Sequence, residues 1–256
     1  DGSMHTLQIP QTLQVNGLTW SPDRRALALN TPGEILFWDT AKQALLPLII
    51  ALNARNVETI SWSQDGKLAV WEENHVLIYP LSPAALAVPQ PPLPLAISTG
   101  NLRSGAIGAL QWSPVEPLLS IGASNGTVVC WDVNNPGKPW QIAATGQKVT
   151  SLAWSPDGAQ LVGALRDNRV LGWNVHSQHQ ALAWTKLPAM PRTISVSLTG
   201  RIVIASSEKR LLCGDAEEPA PSSSISGQLL AAWSPTSAEL ATLDAQQETT
   251  LVLWHD

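Results

Sequence analysis

The groups with chemical reach in this chain are five histidines, two cysteines and many serines, and their placement argues against catalysis. His176 and His179 stand three apart, a spacing that could serve a metal if one turn presented both rings. No Cys or carboxylate stands close in sequence, so a zinc site there lacks ligands. His5, His75 and His255 are scattered. Ser21, Ser63, Ser113, Ser155, Ser197 and Ser234 recur at one place in a repeat, which marks them as turn residues rather than nucleophiles. No Gly-rich phosphate loop or GxSxG elbow is present. The expectation is no catalytic residue, no metal site and no cofactor.

Those serines belong to a repeat that runs through the chain. The copies are Trp20-Ser21-Pro22, Trp62-Ser63-Gln64, Trp112-Ser113-Pro114, Trp154-Ser155-Pro156, Val196-Ser197-Leu198 and Trp233-Ser234-Pro235, at intervals of 42, 50, 42, 42 and 37 residues. A period near 42 marks one supersecondary unit that buries its apolar face by stacking on its neighbours. Within one copy, Leu152 to Ser155 alternates and Pro156-Asp157-Gly158 turns. Leu161 to Leu165 follows, Arg166-Asp167-Asn168 turns again, and Val170 to Asn174 closes the unit. Three short strands joined by turn chemistry make an antiparallel meander, and Gln180 to Thr185 fits as a fourth. Helix has little support.

Nine of the 12 Trp fall at two places in this unit, the opening position and a closing one filled by Trp38, Tyr79, Trp131, Trp173 and Trp254, with Gly214 in the fifth copy. Large flat side chains so spaced suit the wedge between neighbouring twisted sheets. A net charge of −5 argues against a general nucleic-acid binder. No apolar run reaches the roughly 18 residues of a membrane helix, and no signal peptide is visible. Cys130 and Cys213 occupy the same place in the third and fifth units, which are not neighbours, so reduced thiols are expected and a cytoplasmic location with them. Asp1-Gly2-Ser3 before Met4 reads as a cloning remnant.

The pattern Trp-Ser-Pro-Asp-Gly, a small-residue second strand, a polar turn and a third strand ending in Trp-Asp (Trp38-Asp39, Trp131-Asp132) resembles WD40-repeat β-propellers. The style of the repeats resembles bacterial members. The family's Gly-His pair is absent and Trp-Asp survives in two copies, so the buried hydrogen-bond relay is expected to be missing. The resemblance implies an all-β, six-bladed propeller of four-stranded antiparallel blades over residues 1–256. The N-terminal strand His5 to Ile9 is expected to join the last blade and close the ring. The Pro-rich stretch 81–94 is expected as a surface loop between blades two and three; Pro89 to Pro92 also fits a PxxP ligand.

Inner strands line a propeller's channel, and the residues before the opening aromatic are Thr19, Ser61, Gln111, Ala153, Ser195 and Ala232. None titrates near neutral pH, so the channel offers no acid–base pair and no enzyme is expected. Family members mostly act as scaffolds, using the face that carries the fourth-to-first and second-to-third strand loops. Carried onto this chain, that face has Arg55, Arg103, Lys148 and Arg192 around the channel mouth. Glu58 faces Arg192 across it, and Arg166 stands on the rim among Glu34, Glu72, Glu73, Asp167, Glu208, Glu248 and Lys209. The expected partner is a protein or acidic peptide, in the setting of a larger signalling or regulatory protein, with no membrane; nucleic acid bound through the basic crescent is a minor alternative. Ordinary solvated loop charges are the plain alternative for these residues. A propeller that binds or hydrolyses a small molecule or glycan is the alternative for the whole protein.

Overall fold

The computed structural model describes residues 5–8, 15–52, 59–72, 75–88, 95–98, 107–135, 139–184, 187–197, 199–215, 223–226, 228–233, 239–244 and 250–255. Strand β1 is His5–Gln8. The first sheet holds β2 (Gly17–Trp20), β3 (Ala26–Thr31), β4 (Glu34–Asp39) and β5 (Ala44–Ala51). The second holds β6 (Ile60–Trp62), β7 (Lys67–Glu72), β8 (His75–Pro80) and, after the short helix α1 (Pro83–Leu86), β9 (Leu95–Ser98). The third runs β10 (Ile107–Trp112), β11 (Leu118–Ala123), β12 (Thr127–Asp132) and β13 (Trp140–Ala144). The fourth runs β14 (Val149–Trp154), β15 (Gln160–Leu165), β16 (Val170–Asn174) and β17 (Gln180–Trp184). The fifth comprises β18 (Pro191–Val196), β19 (Arg201–Ser206), β20 (Arg210–Asp215) and β21 (Ser223–Ser226). The last comprises β22 (Gln228–Trp233), β23 (Glu239–Asp244) and β24 (Thr250–His255), with β1 antiparallel to β24 in the register His5↔Leu253 to Gln8↔Thr250.

The turn after each opening strand explains the repeating serine. Ser21 Oγ donates to Asp23 at 2.7 Å and accepts from the Ala26 N–H at 3.0 Å. Ser63 and Ser155 do the same with Asp65 and Asp157, and with the N–H groups of Lys67 (2.8 Å) and Gln160 (2.9 Å). The residue four after the opening aromatic is left-handed, at φ 59° for Arg24, 81° for Gly66, 70° for Gly158 and 85° for Gly200, which is why glycine dominates there. The hydroxyl of Ser155 and the Ala159 N–H both bind the Asp157 carboxylate and hold its pKa below the usual range.

The two central strands of a sheet are buried on both faces, so their side chains alternate between two junctions rather than between core and water. In β7, Leu68 and Val70 pack toward the first sheet while Ala69 and Trp71 pack toward the third. At the first junction Phe37 meets Trp62 edge-on, with ring centroids 6.1 Å apart. The opening residues Trp20, Trp62, Trp112 and Trp154 and the closing Trp38, Tyr79, Trp131 and Trp173 are all buried. The 81–94 stretch is not wholly a surface loop: Leu81 and the α1 residue Leu86 are buried in the first junction. Pro89 to Pro92 lie outside the described residues.

One expectation needs correcting: six equivalent blades locked into a closed wheel. Apolar cores are described at five junctions, from first-to-second through fifth-to-sixth sheet. In the sixth sheet most side chains, Trp254 included, lie outside the described residues, and none of the described cores joins that sheet to the first. The two meet as neighbouring strands, β22 beside β2. The five described junctions are not equivalent. The fifth sheet has Val196 and Gly214 where the others have aromatics, on the face toward the fourth sheet, and at its junction with the sixth the buried Thr193 Oγ1 and Trp233 Nε1 have no partner among the described residues.

The indoles show what the weakened family relay is replaced by. Trp154 Nε1 donates to Ser120 Oγ at 3.0 Å and to the Gln111 carbonyl at 3.2 Å, both in the preceding sheet. Ser120 pairs with Gln111 in register; the corresponding positions are Ala28 opposite Thr19, Ala69 opposite Ser61 and Val203 opposite Ser195. With no hydroxyl there, the indole N–H groups of Trp62, Trp112 and Trp233 have no partner. Ser120→Ala is expected to cost about 1 kcal/mol, the net worth of one hydrogen bond, and Ala69→Ser to return a similar amount through Trp112. Opposite shifts in melting temperature by calorimetry check this; a Ser120→Ala protein melting with wild type would contradict it.

The thiols differ in the same physical way. Cys130 is fully buried between the third and fourth sheets; burial, then the Glu116 charge, pushes its pKa to about 12. Cys213 is partly exposed. At pH 8 a disulfide reagent is expected to label Cys213 quickly and Cys130 only on unfolding. Equal rates for both in the native protein would refute this account.

Candidate functional site: the hub cavity and its mouth

The innermost strands β2, β6, β10, β14, β18 and β22 surround a cavity of about 320 Å³. Their first residues sit at one face of the protein, because the loops that enter them bind the second-to-third strand turns. The Leu52 N–H donates to Gly33 O (2.8 Å), Thr145 to Gly126 O (2.8 Å), Leu187 to Asn168 O (2.9 Å) and Ser207 to Met190 O (2.8 Å). The opposite face carries the serine turns, tied to the third-to-fourth strand connections by Thr40 N–H to Arg25 O (3.0 Å) and Val175 N–H to Ala159 O (3.0 Å).

The mouth is shaped by a recurring bulge. The pairing of inner and second strands slips between Ile107 and Ala109, between Val149 and Ser151, between Pro191 and Thr193, and between Gln228 and Leu230. The extra residues are Gly108, Thr150, Arg192 and Leu229, each four before the opening aromatic. A bulge releases one residue from the ladder and re-aims its side chain. Gly108, Thr150 and Arg192 line the cavity, as does Asn16 at the corresponding place in the first sheet. At Gly108 the close approach of the next blade decides the residue, since a Cβ would collide with the Val149 carbonyl oxygen and press on Lys148 Cε at 3.0 Å.

Hydroxyls stitch the inner strands together. Ser61 Oγ accepts from the Trp112 N–H (3.0 Å), Ser151 Oγ from Ile194 (3.0 Å) and Ser195 Oγ from Trp233 (2.9 Å), while Thr150 Oγ1 donates to the Pro191 carbonyl (2.9 Å). Each bond spans two blades and satisfies a backbone group that no strand partner reaches. Ser61, expected on the channel wall, is instead fully buried and absent from the cavity lining, whereas Thr19, Gln111, Ala153 and Ser195 do line it.

Among the expected mouth residues, Arg55, Glu58 and Arg103 lie outside the described residues. Lys148 and Arg166 are brought together: the Arg166 N–H donates to the Lys148 carbonyl at 2.9 Å, with Lys148 half-buried against Gly108 and Arg166 exposed. Arg192 stands apart from them, on the cavity wall. On the rim, Asp167 is paired with Arg169 at 2.7 Å. Glu72 is not a rim charge, since it is buried at 8% exposure. Glu73 and Glu248 lie outside the described residues. The bulge was legible in retrospect as the column of residues four before each opening aromatic; nothing in the sequence distinguished which hydroxyls would face the next blade.

The cavity wall carries no carboxylate, His or Cys among the described residues, and no group of three or more His, Cys, Asp or Glu gathers elsewhere among them. On the opposite face His176 Nε2 lies 3.8 Å from Glu116 of the preceding sheet, with His176 and His179 both exposed. Gly108→Val is expected to destabilise by about 1–3 kcal/mol, the usual cost of forcing volume into packed structure. Chemical denaturation measures it; an unchanged midpoint would contradict the close approach of β14.

Two segments, residues 94–132 and 140–174, match the family model "WD domain, G-beta repeat". Each runs from the outer strand of one sheet through the first three strands of the next, so the sequence repeat straddles two blades. The chain is 25% identical over 218 residues to the Protein LST8 homolog of Drosophila melanogaster, covering 81% of this chain and 67% of that protein. It is 33% identical over 79 residues to COMPASS component SWD1 of Saccharomyces cerevisiae, covering 28% of this chain and 18% of that one, so it spans under a fifth of the yeast protein's length. The β-propeller domain of Myceliophteria thermophila Cps50 (Swd1) superposes with a TM-score of 0.70 at 13% identity, over 94% of this chain and 83% of that one. The chain has the β-propeller fold, and its residues 94–132 and 140–174 match the WD40 repeat.

Proposed function

We propose that the protein is a non-catalytic interaction module that docks a protein or peptide partner on its mouth face. What carries this reading is the pairing of entry loops with second-to-third strand turns around a cavity wall that holds no acid–base group among the described residues: a firm frame that presents side chains. COMPASS component SWD1 is by name part of a larger assembly, which is consistent with such a role. The proposed contact residues are Arg55, Glu58, Arg103, Lys148, Arg166 and Arg192. Their balance is five cations to one acid, which suits an acidic segment, and arginine's planar fork pairs carboxylates in two places at once.

The finer parts of the reading are a place within a larger regulatory or signalling protein and a cytoplasmic setting, which the two free thiols fit. No helix among the described residues is long and apolar enough to cross a membrane. The bacterial style of the repeats finds no support in the fly and fungal proteins named above.

The test is binding of an Asp/Glu-rich peptide to wild type and to the triple variant Arg55→Glu, Arg103→Glu, Arg166→Glu by isothermal titration. Affinity is expected to fall at least about 10-fold, with a shallower salt dependence, as each lost surface attraction is also one that salt screens. Unchanged affinity removes the reading.

A further inference from the structure

Among the described residues that line the hub cavity, Arg192 is the single charged one. The other polar side chains on that wall, Asn16, Thr19, Gln111, Thr150 and Ser195 among them, are neutral. The guanidinium has no ion pair or hydrogen bond to another described residue. Its position is set by backbone geometry: it is the extra residue of the β18 bulge, and the carbonyl of Pro191 beside it is held by Thr150 Oγ1 from the neighbouring blade. In the third sheet the same bulge holds Gly108, where the next blade packs so close that a Cβ would meet the Val149 carbonyl oxygen. The bulge level of the wall thus presents a cation at Arg192 and an exposed amide at Asn16.

We infer that the hub cavity is a carboxylate site, in which Arg192 pairs one negative charge and the neutral side chains around it receive an uncharged polar body. A volume of about 320 Å³ lies at the small end of the range for small-ligand pockets, enough for a short acid or one inserted side chain. A charge-assisted, two-point bond to guanidinium is about twice as strong as a neutral hydrogen bond, and the exposed Arg192 is open to an incoming acid. One cation matches one anion. A dianion would leave its second charge facing neutral groups, so monocarboxylates are favoured over dicarboxylates of similar size.

The acid has two possible sources, a free organic acid or an Asp or Glu side chain of a docked partner. Only the second rests on the interaction reading above. Two titrations, followed by tryptophan fluorescence and calorimetry, separate them. One uses acetate, glycolate and succinate; the other uses a capped peptide with a single Glu and its Gln counterpart. Binding of glycolate or acetate identifies a free-acid site, and binding of the Glu peptide alone identifies a partner's side chain. Either should weaken at least 10-fold in Arg192→Met, recover in part in Arg192→Lys, and persist in the Arg55, Arg103 and Arg166 triple variant. Arg192 is exposed, so both single variants are expected to keep the wild-type melting temperature. If Arg192→Met does not fold, the comparison is made with Arg192→Lys and with the Gln peptide. No binding of any acid, or binding indifferent to position 192, overturns the proposal. It does so whether or not the rim variants lose partner affinity.

Discussion

A four-stranded sheet with both faces apolar cannot stand alone in water, and this constraint shapes the whole molecule. The central strands β3, β7, β11, β15 and β19 have almost no solvent-facing side. Each sheet must therefore give one face to the blade before it and the other to the blade after. The opening tryptophan performs most of this joining. Truncating a buried Trp costs roughly 3–5 kcal/mol, against about 1 kcal/mol for a net hydrogen bond, so shape dominates and the polar contacts refine it. That ordering explains how Trp62, Trp112 and Trp233 tolerate unpaired indole N–H groups.

The polar contacts matter for position instead. Inner strands have no strand neighbour on their hub side, and twist leaves gaps between the backbones of adjacent blades. Hydroxyls on Ser61, Ser151, Ser195 and Thr150 cross those gaps. They fix the height of each inner strand relative to the next, and with it the level at which the bulge residues meet. The cavity's character follows from which residue each bulge received: nothing at Gly108, a tied hydroxyl at Thr150, a free guanidinium at Arg192. Identical backbone devices thus yield an asymmetric site.

The periodic part of this architecture was legible in the sequence because packing repeats: opening aromatic, serine turn and closing aromatic each answer a demand that every blade makes. For Ser21, Ser63 and Ser155 the turn role holds, because each hydroxyl binds the Asp two residues on. What escaped were choices made between blades. Ser61 looks like a channel residue by position, yet its neighbour's backbone N–H draws it into the junction. Glu72 looks like a loop charge, yet β7 extends to include it and buries it.

The uneven fifth sheet deserves a physical reading of its own. Val196 and Gly214 remove two aromatic wedges from its junction with the fourth, and the buried Thr193 Oγ1 and Trp233 Nε1 have no partner among the described residues at its junction with the sixth. One side thus loses aromatic contact and the other carries unpaired buried polar groups, so this sheet is where local opening is expected to cost least. Arg192 belongs to this same sheet, on its inner strand. The residue with the strongest reason to bind an anion therefore sits on the blade held least tightly. An occupant that pairs with Arg192 would bind the packed arrangement in preference to any opened one. By linkage it would stabilise that blade's junctions along with itself.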